Sequence, residues 1–304
     1  MEFLVLDVGG TDIKYAIMNE KAEIIEKEKT KTPRDNIENF IETIGTIFDK
    51  YKNRVKGIAM SMPGRIDSKR GYLYSGGSLE YNNDKEIAEI LKKRCPMPIA
   101  IENDGKCAAL AEAWKGNLKE YEDGIVVIIG TGIGGGIIKD KKLHKGKHFI
   151  AGEFSFILTN DEMPDPKNNF AAAWAVTGGT PSLCKKLAEV KKLKKEIDGF
   201  TVFKYVNEGD EEAIKVLDDY CYKMAVQLYN LQYIYDPEKI AIGGGISQQK
   251  VLIEYIRKNI EKYAENMAPM VLFKPDIIAC KFYNDSNLIG ALYNYMLKYN
   301  INDK

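Results

Sequence analysis

One pattern occurs twice in this chain of 304 residues and limits what it can fold into. An apolar, β-branched run leads into a glycine loop and out into a second run. Near the N-terminus it reads "FLVLDVGGTDIKYAIMN", and in the middle of the chain "DGIVVIIGTGIGGGIIKDKKL". Glycine costs backbone entropy and weakens a strand. Its concentration between two strand formers calls for a tight turn or for close approach of a phosphate to the backbone. After the first copy come a third strand "AEIIEKEKT", a helical pattern from about Ile37 to Lys52, and the buried strand "VKGIAMSMPG". The extended "GYLYSGG", a helix over Lys85 to Arg94, the strand "PIAIEND" and an alanine-rich helix closed by Gly116 follow. The second copy precedes a helix-rich stretch from about Ala171 to Asp236 and the strand and glycine loop "EKIAIGGGIS". A helix from about Lys250 to Glu265, the strand "PDIIACKF" and a last amphipathic helix "SNLIGALYNYMLKYN" complete it. Two βββαβα-like halves predict an α/β chain of two similar domains, with a boundary near Gly116–Gly124.

Composition removes several function classes. Lys+Arg and Asp+Glu are both 44, so nothing points to a general nucleic-acid or membrane-surface binder, and the lysine runs read as solvated faces. No apolar run approaches the ~20 residues that span a bilayer. The N-terminus enters a strand without a basic region or cleavage site, which predicts a cytoplasmic protein. The five cysteines are scattered without a CxxC pair, as expected of reduced, mostly buried thiols. His144 and His148 flank a glycine in "LHKGKHF" and read as loop residues, not a metal pair.

Five segments can carry chemistry. In "LDVGGTDIK", Asp7 closes a strand and Gly9–Gly10 turn the chain; such turns make anion-binding concavities of N–H groups. Asp7 suits Mg²⁺, directly or through water, although the segment also reads as a plain hairpin. "GTGIGGG", Gly130 to Gly136, has more glycine than a turn needs. It is not a dinucleotide fingerprint, because a strand, Gly136–Lys139, follows where a helix is required. Nor is it a Walker loop, since no Lys-Ser/Thr follows. A glycine hairpin bending around a triphosphate remains. In "IENDGKC" a buried strand delivers Asn103 and Asp104 to a helix start. Asp104 reads as an N-cap or as a base that accepts the proton of an attacking hydroxyl, with Asn103 orienting the substrate. Glu153 in "AGEFSF" has apolar neighbours and needs a lysine partner or two sugar hydroxyls. In "IAIGGGIS" the triple glycine reads as close strand–helix packing or as a surface for a flat base or ribose.

Taken together, "LDVGGTDIK", "GIAMSMPGRID", "IENDGKCAALAE", "IGTGIGGGII", "AGEFSF", "YDPEKIAIGGGIS" and "NLIGALYNY" resemble the ROK family of bacterial sugar kinases, within the sugar kinase/Hsp70/actin superfamily. The matches run in family order along nearly the whole chain. The resemblance implies an α/β fold of two actin-like (ribonuclease H-like) domains with a cleft between them, residues 1–118 and 119–285, the C-terminal helix 286–304 packing back on the first. It implies ATP-dependent phosphorylation of a sugar hydroxyl, usually the 6-position, with Asp104 as catalytic base. Gly77, Ser78, Asn103, Asp104 and Glu153 would contact the sugar. Asp7, Gly9, Gly10, Thr11 and Lys14 would form the first phosphate loop, and Gly130, Thr131, Gly132, Gly134, Gly135 and Gly136 the second. Gly243, Gly244 and Gly245 would lie on the adenosine side, Asp7 would serve Mg²⁺, and the protein would be a homodimer.

Departures from the family pattern refine this. Where members commonly carry Gly-Glu-x-Gly-His, this chain has Gly152-Glu153-Phe154-Ser155-Phe156, so Phe156 replaces a histidine that is both sugar contact and zinc ligand. The cysteine-rich zinc motif is replaced by "NDEMPDPKNNFAAAWAVTGG", and Ala173 or a neighbour stands where a carboxylate is usual. No structural zinc is expected. The chain resembles the zinc-free branch that includes β-glucoside kinases, whose "GGA" loops are similar to "YSGGSLEYNN". A β-glucoside or disaccharide is the favoured substrate, with glucose, N-acetylmannosamine or another hexose as alternatives. A transcriptional repressor is disfavoured because the first loop begins at Asp7. A catalytically dead sugar sensor is disfavoured by the intact Asp104, Asp7 and glycine loops.

Overall fold

The computed structural model describes residues 1–160 and 170–302. The chain groups into two compact units: Met1–Lys115, Leu143–Ala151 and Asp285–Lys304 form unit 1, and Gly116–Lys142 with Gly152–Asn284 form unit 2.

In unit 1 the chain runs β1 (Glu2–Val8), β2 (Asp12–Asn19), β3 (Ile24–Lys31), α1 (Ile37–Tyr51), β4 (Ile58–Met62), β5 (Arg65–Asp67), β6 (Tyr72–Ser75), α2 (Ile87–Arg94), β7 (Ile99–Asn103) and α3 (Asp104–Trp114). The main sheet has the order β3-β2-β1-β4-β7. β1, β2 and β3 are antiparallel neighbours, while β4 and β7 join in parallel. Burial explains the order. Phe3 to Val8 and every residue of β4 and β7 are buried, as central strands covered on both faces require. β3 carries Glu26, Lys27, Glu28 and Lys29 and is mostly exposed, and charge of that kind keeps an edge strand from pairing elsewhere. Asn36 caps α1 by accepting the Asn39 N–H, and Phe40, Ile44 and Phe48 turn inward onto Leu4, Leu6, Ile58 and Met60.

Unit 2 repeats the plan with β8 (Gly124–Ile129), β9 (Ile133–Lys139), β10 (Lys142–His144), α4 (Trp174–Gly178), α5 (Thr180–Val190), α6 (Gly199–Asn207), α7 (Glu211–Tyr235), β11 (Lys239–Gly243), α8 (Lys250–Asn266) and β12 (Ile277–Ala279). Its sheet order, β10-β9-β8-β11-β12, is that of unit 1 in the same sequence of antiparallel and parallel pairs. Asp210 caps the N-terminus of α7, and Asp236, in the left-handed region, ends it. The core gathers Ile125, Val127, Leu217, Leu228, Ile240 and Ile256. The last helix, α9 (Ser286–Lys298), belongs to unit 1 and packs on α3, β1, β4 and β7. A Cβ at Gly290 would fall 1.7 Å from the Cys107 carbonyl oxygen, so this helix crossing depends on glycine.

Two expectations need revision. β9 begins at Ile133 and not at Gly136, so Gly134, Gly135 and Gly136 are strand residues paired with Ile128, Val127 and Val126. The turn itself is Gly130–Thr131–Gly132. The backbone ladder continues through the glycines because their N–H and C=O groups pair as well as any others. Leu143–Ala151, within the range read as the second domain, groups with unit 1. The buried Glu102 holds Lys145 there.

Candidate active site

The residues singled out from sequence fall into two half-sites, one in each unit. Both lie at the carboxyl ends of parallel strands, where open α/β sheets bind ligands.

In unit 1 the register places Asp7 beside Ser61, and Ser61 beside Glu102. Asp7 is 7 % exposed. Its Oδ1 accepts from Ser61 Oγ at 3.2 Å and from Asn287 Nδ2 at 3.0 Å, while Lys14 Nζ stands 3.6 Å from Oδ2. The Gly9–Thr11 turn is tied down: Gly9 N–H donates to Asp12 O at 3.0 Å and Thr32 Oγ1 to Gly9 O at 2.7 Å. Thr11 is exposed. A Cβ on Gly10 would come 3.0 Å from Ser78 Oγ, so the Gly77–Ser78 loop sits directly against the β1–β2 turn.

Asn103, not Asp104, caps α3: its Oδ1 accepts the Lys106 N–H at 3.1 Å. The capping role that could have explained Asp104 is already filled by its neighbour. Asn103 Nδ2 donates to Gly64 O and to Asp104 Oδ1, both at 3.0 Å, and the Gly105 N–H reaches the same Oδ1 at 2.8 Å. Asp104 is thus the first helical residue, with its carboxylate fixed by two donors. Gly64 has φ +105°, and a Cβ there would lie 1.9 Å from Ser75 O; only glycine lets this loop bring its carbonyl to Asn103. Burial, then the charges of Glu102, Asp104 and Asp7, push the Cys107 thiol well above its ordinary range. That response shows three acids acting on one buried point.

In unit 2 the pairing of β11 with β8 sets Gly243 beside Ile128, which brings the two glycine loops together. Their glycines do different work. Gly130, Gly134 and Gly245 are open: a Cβ would meet nothing nearer than 3.9 Å at Gly130 and nothing within 4 Å at the other two. At Gly132 the Ala175 side chain is at ordinary contact distance. Thr131 is exposed. Gly135, Gly243 and Gly244 are packed. A Cβ would lie 2.2 Å from Val126 O at Gly135, 2.6 Å from Ile128 Cδ1 at Gly243 and 2.0 Å from Ile129 O at Gly244. Gly135 also seats Phe154, whose ring would be 2.6 Å from that Cβ, and a Cβ on Gly152 would be 2.8 Å from Gly136 Cα. Gly135 and Gly136 therefore seat the Gly152–Phe154 segment and so position Glu153. Glu153 is half-buried at the start of the single-turn 3-10 helix Phe154–Phe156, and Ser155 Oγ ties that turn to Ile133 O.

Phe156 is 64 % exposed and faces Phe170 at 6.2 Å. Ala173 is buried at the N-terminus of α4. Most of the stretch replacing the zinc motif, residues 161–169, lies outside the described residues. Among the described residues no group of three or more His, Cys, Asp and Glu is arranged to hold a metal. Sequence reasoning missed Ser61, Asn287, Glu102 and Lys145. Ser61 and Asn287 lay within quoted motifs, yet only strand register and the return of α9 show that they grip Asp7.

The sequence pattern of the ROK family matches residues 3–296. A β-glucoside kinase of Listeria monocytogenes is 29% identical over 301 residues, covering 99% of each chain. An N-acetyl-D-glucosamine kinase of Vibrio atlanticus is 28% identical, covering 94% of this chain and 97% of its own. The crystal structure of a ROK family protein from Streptococcus pneumoniae in complex with sucrose superposes with a TM-score of 0.86 at 29% identity over 99% of both chains.

Proposed function

The chain belongs to the ROK family, and from that premise we propose that it is an ATP-dependent sugar kinase in which Asp104 is the catalytic base. The observation that carries this reading is the Asn103–Asp104 pair. A capping asparagine, anchored to a glycine carbonyl, frees the next residue to present a carboxylate at a helix mouth. Asp104 takes the proton from the primary 6-hydroxyl of the sugar. The alcohol oxygen forms a bond to the γ-phosphorus as the bond to the bridging β–γ oxygen breaks, and ADP leaves. Loop N–H groups, from Gly9–Thr11 in one unit and Gly130–Gly132 in the other, donate to the phosphates, where preorganised dipoles stabilise developing charge. Lys14 adds a cation beside Asp7. Gly245 gives adenosine an open backbone face, while Gly243 and Gly244 hold that loop against β8. Gly77, Ser78, Asn103 and Glu153 bind sugar hydroxyls.

Asp7 fits a magnesium ion held through water. One oxygen is engaged by two neutral donors and the other faces a lysine at 3.6 Å, so the carboxylate has acceptor capacity but no second acid beside it to complete an inner shell. Such an ion would neutralise charge on the transferring phosphoryl group. A cytoplasmic homodimer is part of the same reading and rests on the family resemblance. No helix among the described residues is long and apolar enough to cross a membrane.

For the substrate we favour a β-glucoside or other sugar with a second ring. Arg65 stacks on Tyr74 at 4.6 Å, Tyr74 faces Phe149 at 5.9 Å and 22°, and Tyr72 meets Tyr74 edge-on at 4.8 Å. Tyr74 precedes the Gly76–Gly77–Ser78 loop, and Phe149 precedes Gly152–Glu153. Phe149 also has φ +61°, a conformation that costs a bulky residue about 1–3 kcal/mol and tends to persist at functional sites. Aromatic faces of this kind suit the apolar face of a sugar or an aryl group. The sucrose complex of the Streptococcus pneumoniae relative agrees with room for two rings. A coupled ATP-consumption screen over glucose, cellobiose, aryl β-glucosides, N-acetylmannosamine and fructose tests both levels. Turnover of none refutes the kinase, and preference for a free hexose refutes the β-glucoside. Phe149→Ala should raise KM for an aryl glucoside about 2–10-fold relative to glucose.

A further inference from the structure

We infer that Lys145 is a positioning residue that locks the base-bearing strand and the segment leading to Glu153 into one register. This inference rests on the kinase reading above. Glu102 is fully buried at the end of β7, immediately before Asn103–Asp104. Its Oε1 accepts the Asn103 N–H at 2.9 Å. Lys145 Nζ lies 2.5 Å from Oε2, and that oxygen has no directed hydrogen bond from any described residue. The lysine charge is what compensates it. Lys145 Nζ also donates to Ser68 Oγ.

The backbone of the same lysine makes the second connection. Its carbonyl accepts the Ala151 N–H at 3.2 Å, closing the loop Lys145–Ala151 just before the chain re-enters unit 2 at Gly152 and reaches Glu153. One residue thus touches both strings: through its side chain the strand that ends at Asp104, through its carbonyl the loop that leads to Glu153. A lysine whose task was solubility would not approach a fully buried carboxylate, because an unpaired charge there is strongly unfavourable. Lys298, close by, shows the same crowding. It donates to Ser68 O at 3.2 Å and Ile99 O at 3.3 Å, and burial, then the Lys145 charge, push its pKa down.

The test compares Lys145→Met, Lys145→Arg and the double variant Glu102→Gln/Lys145→Met, using the full chain and the best sugar from the screen. Lys145→Met should lower kcat about 30–100-fold and raise the sugar KM several-fold while leaving the ATP KM within about twofold, because the pin acts on the sugar side. Lys145→Arg keeps the charge and should recover most of the activity. Should Lys145→Met unfold, the double variant removes both charges and regains the melting temperature; the inference then requires kcat to stay low. Wild-type kcat and sugar KM in Lys145→Met, or in a double variant of wild-type melting temperature, would overturn it, as would Lys145→Arg as impaired as Lys145→Met. If the wild-type chain phosphorylates no sugar, the kinase reading falls and the pin is judged by hydrogen exchange. Lys145→Met should speed exchange at residues 143–151 about tenfold, with α7 unchanged, and equal rates would overturn the pin.

Discussion

The two units share one topology and hold opposite kinds of hairpin. In unit 1 the Gly9–Thr11 turn is backed by side chains that carry or manage charge: Asp7, Lys14, Ser61 and Asn287. In unit 2 the Gly130–Gly132 turn has no charged residue, and the strand after it is glycine with one open and one packed position. A duplicated frame has been divided by task. One half handles the proton and the metal-associated charge, where side-chain chemistry is needed. The other offers bare backbone donors, where any side chain would stand in the way.

The comparison can be broken most decisively at Asp104. Asp104→Asn should lower turnover by about 10²–10⁴-fold, as expected for loss of a general base, with sugar affinity by calorimetry largely retained. Activity within tenfold of wild type would mean that unit 1 does not supply the base. Next in size is Asp7→Asn, which keeps the hydrogen-bonding shape and loses the charge. A drop of about 10–100-fold, partly restored by raising magnesium, is expected from a carboxylate that assists the cation. An unchanged magnesium titration would reassign Asp7 to structure alone.

Gly135→Ala and Gly134→Ala sharpen the contrast within unit 2. The first drives a Cβ into Val126 O and the Phe154 ring, and should cost about 1–3 kcal/mol in denaturant unfolding and raise the sugar KM through Glu153. The second places its Cβ in open space and should stay within about 0.5 kcal/mol of wild type; the readout there is the ATP KM. Equal stability costs would erase the distinction between open and packed glycines. The smallest effect concerns Cys95, whose thiol burial pushes up to about 11 from 9.0. The folded state favours the protonated thiol, so this contribution is complete below pH 9 and is lost as pH rises from about 9 to about 11. Melting temperature against pH should show that alkaline slope, and Cys95→Ala should flatten it.

Most elements were legible because their signals are local. Ile37–Tyr51, Lys250–Asn266 and Ile99–Asn103 are close to the segments read from periodicity, and Asp104 was found because a polar pair ended an apolar strand. The roles of Gly135 and Gly136 were not legible. A run of glycines looks alike whether the space beside it holds a ligand or the ring of Phe154, and that ring arrives from a segment distant in sequence. Asn103 and Asp104 could likewise exchange roles on paper; the φ/ψ of the helix start and the Lys106 N–H settle which of them caps.

Composition, strand–loop–strand repetition and the order of short motifs were enough to establish a two-part α/β chain of the sugar kinase kind, because those properties depend on neighbours along the backbone. Which carboxylates share a field, which glycines are bare, and that Lys145 answers Glu102 emerged with the folded chain. Burial and the desolvation of charge are set by residues brought together from far apart, and no stretch of sequence carries them alone.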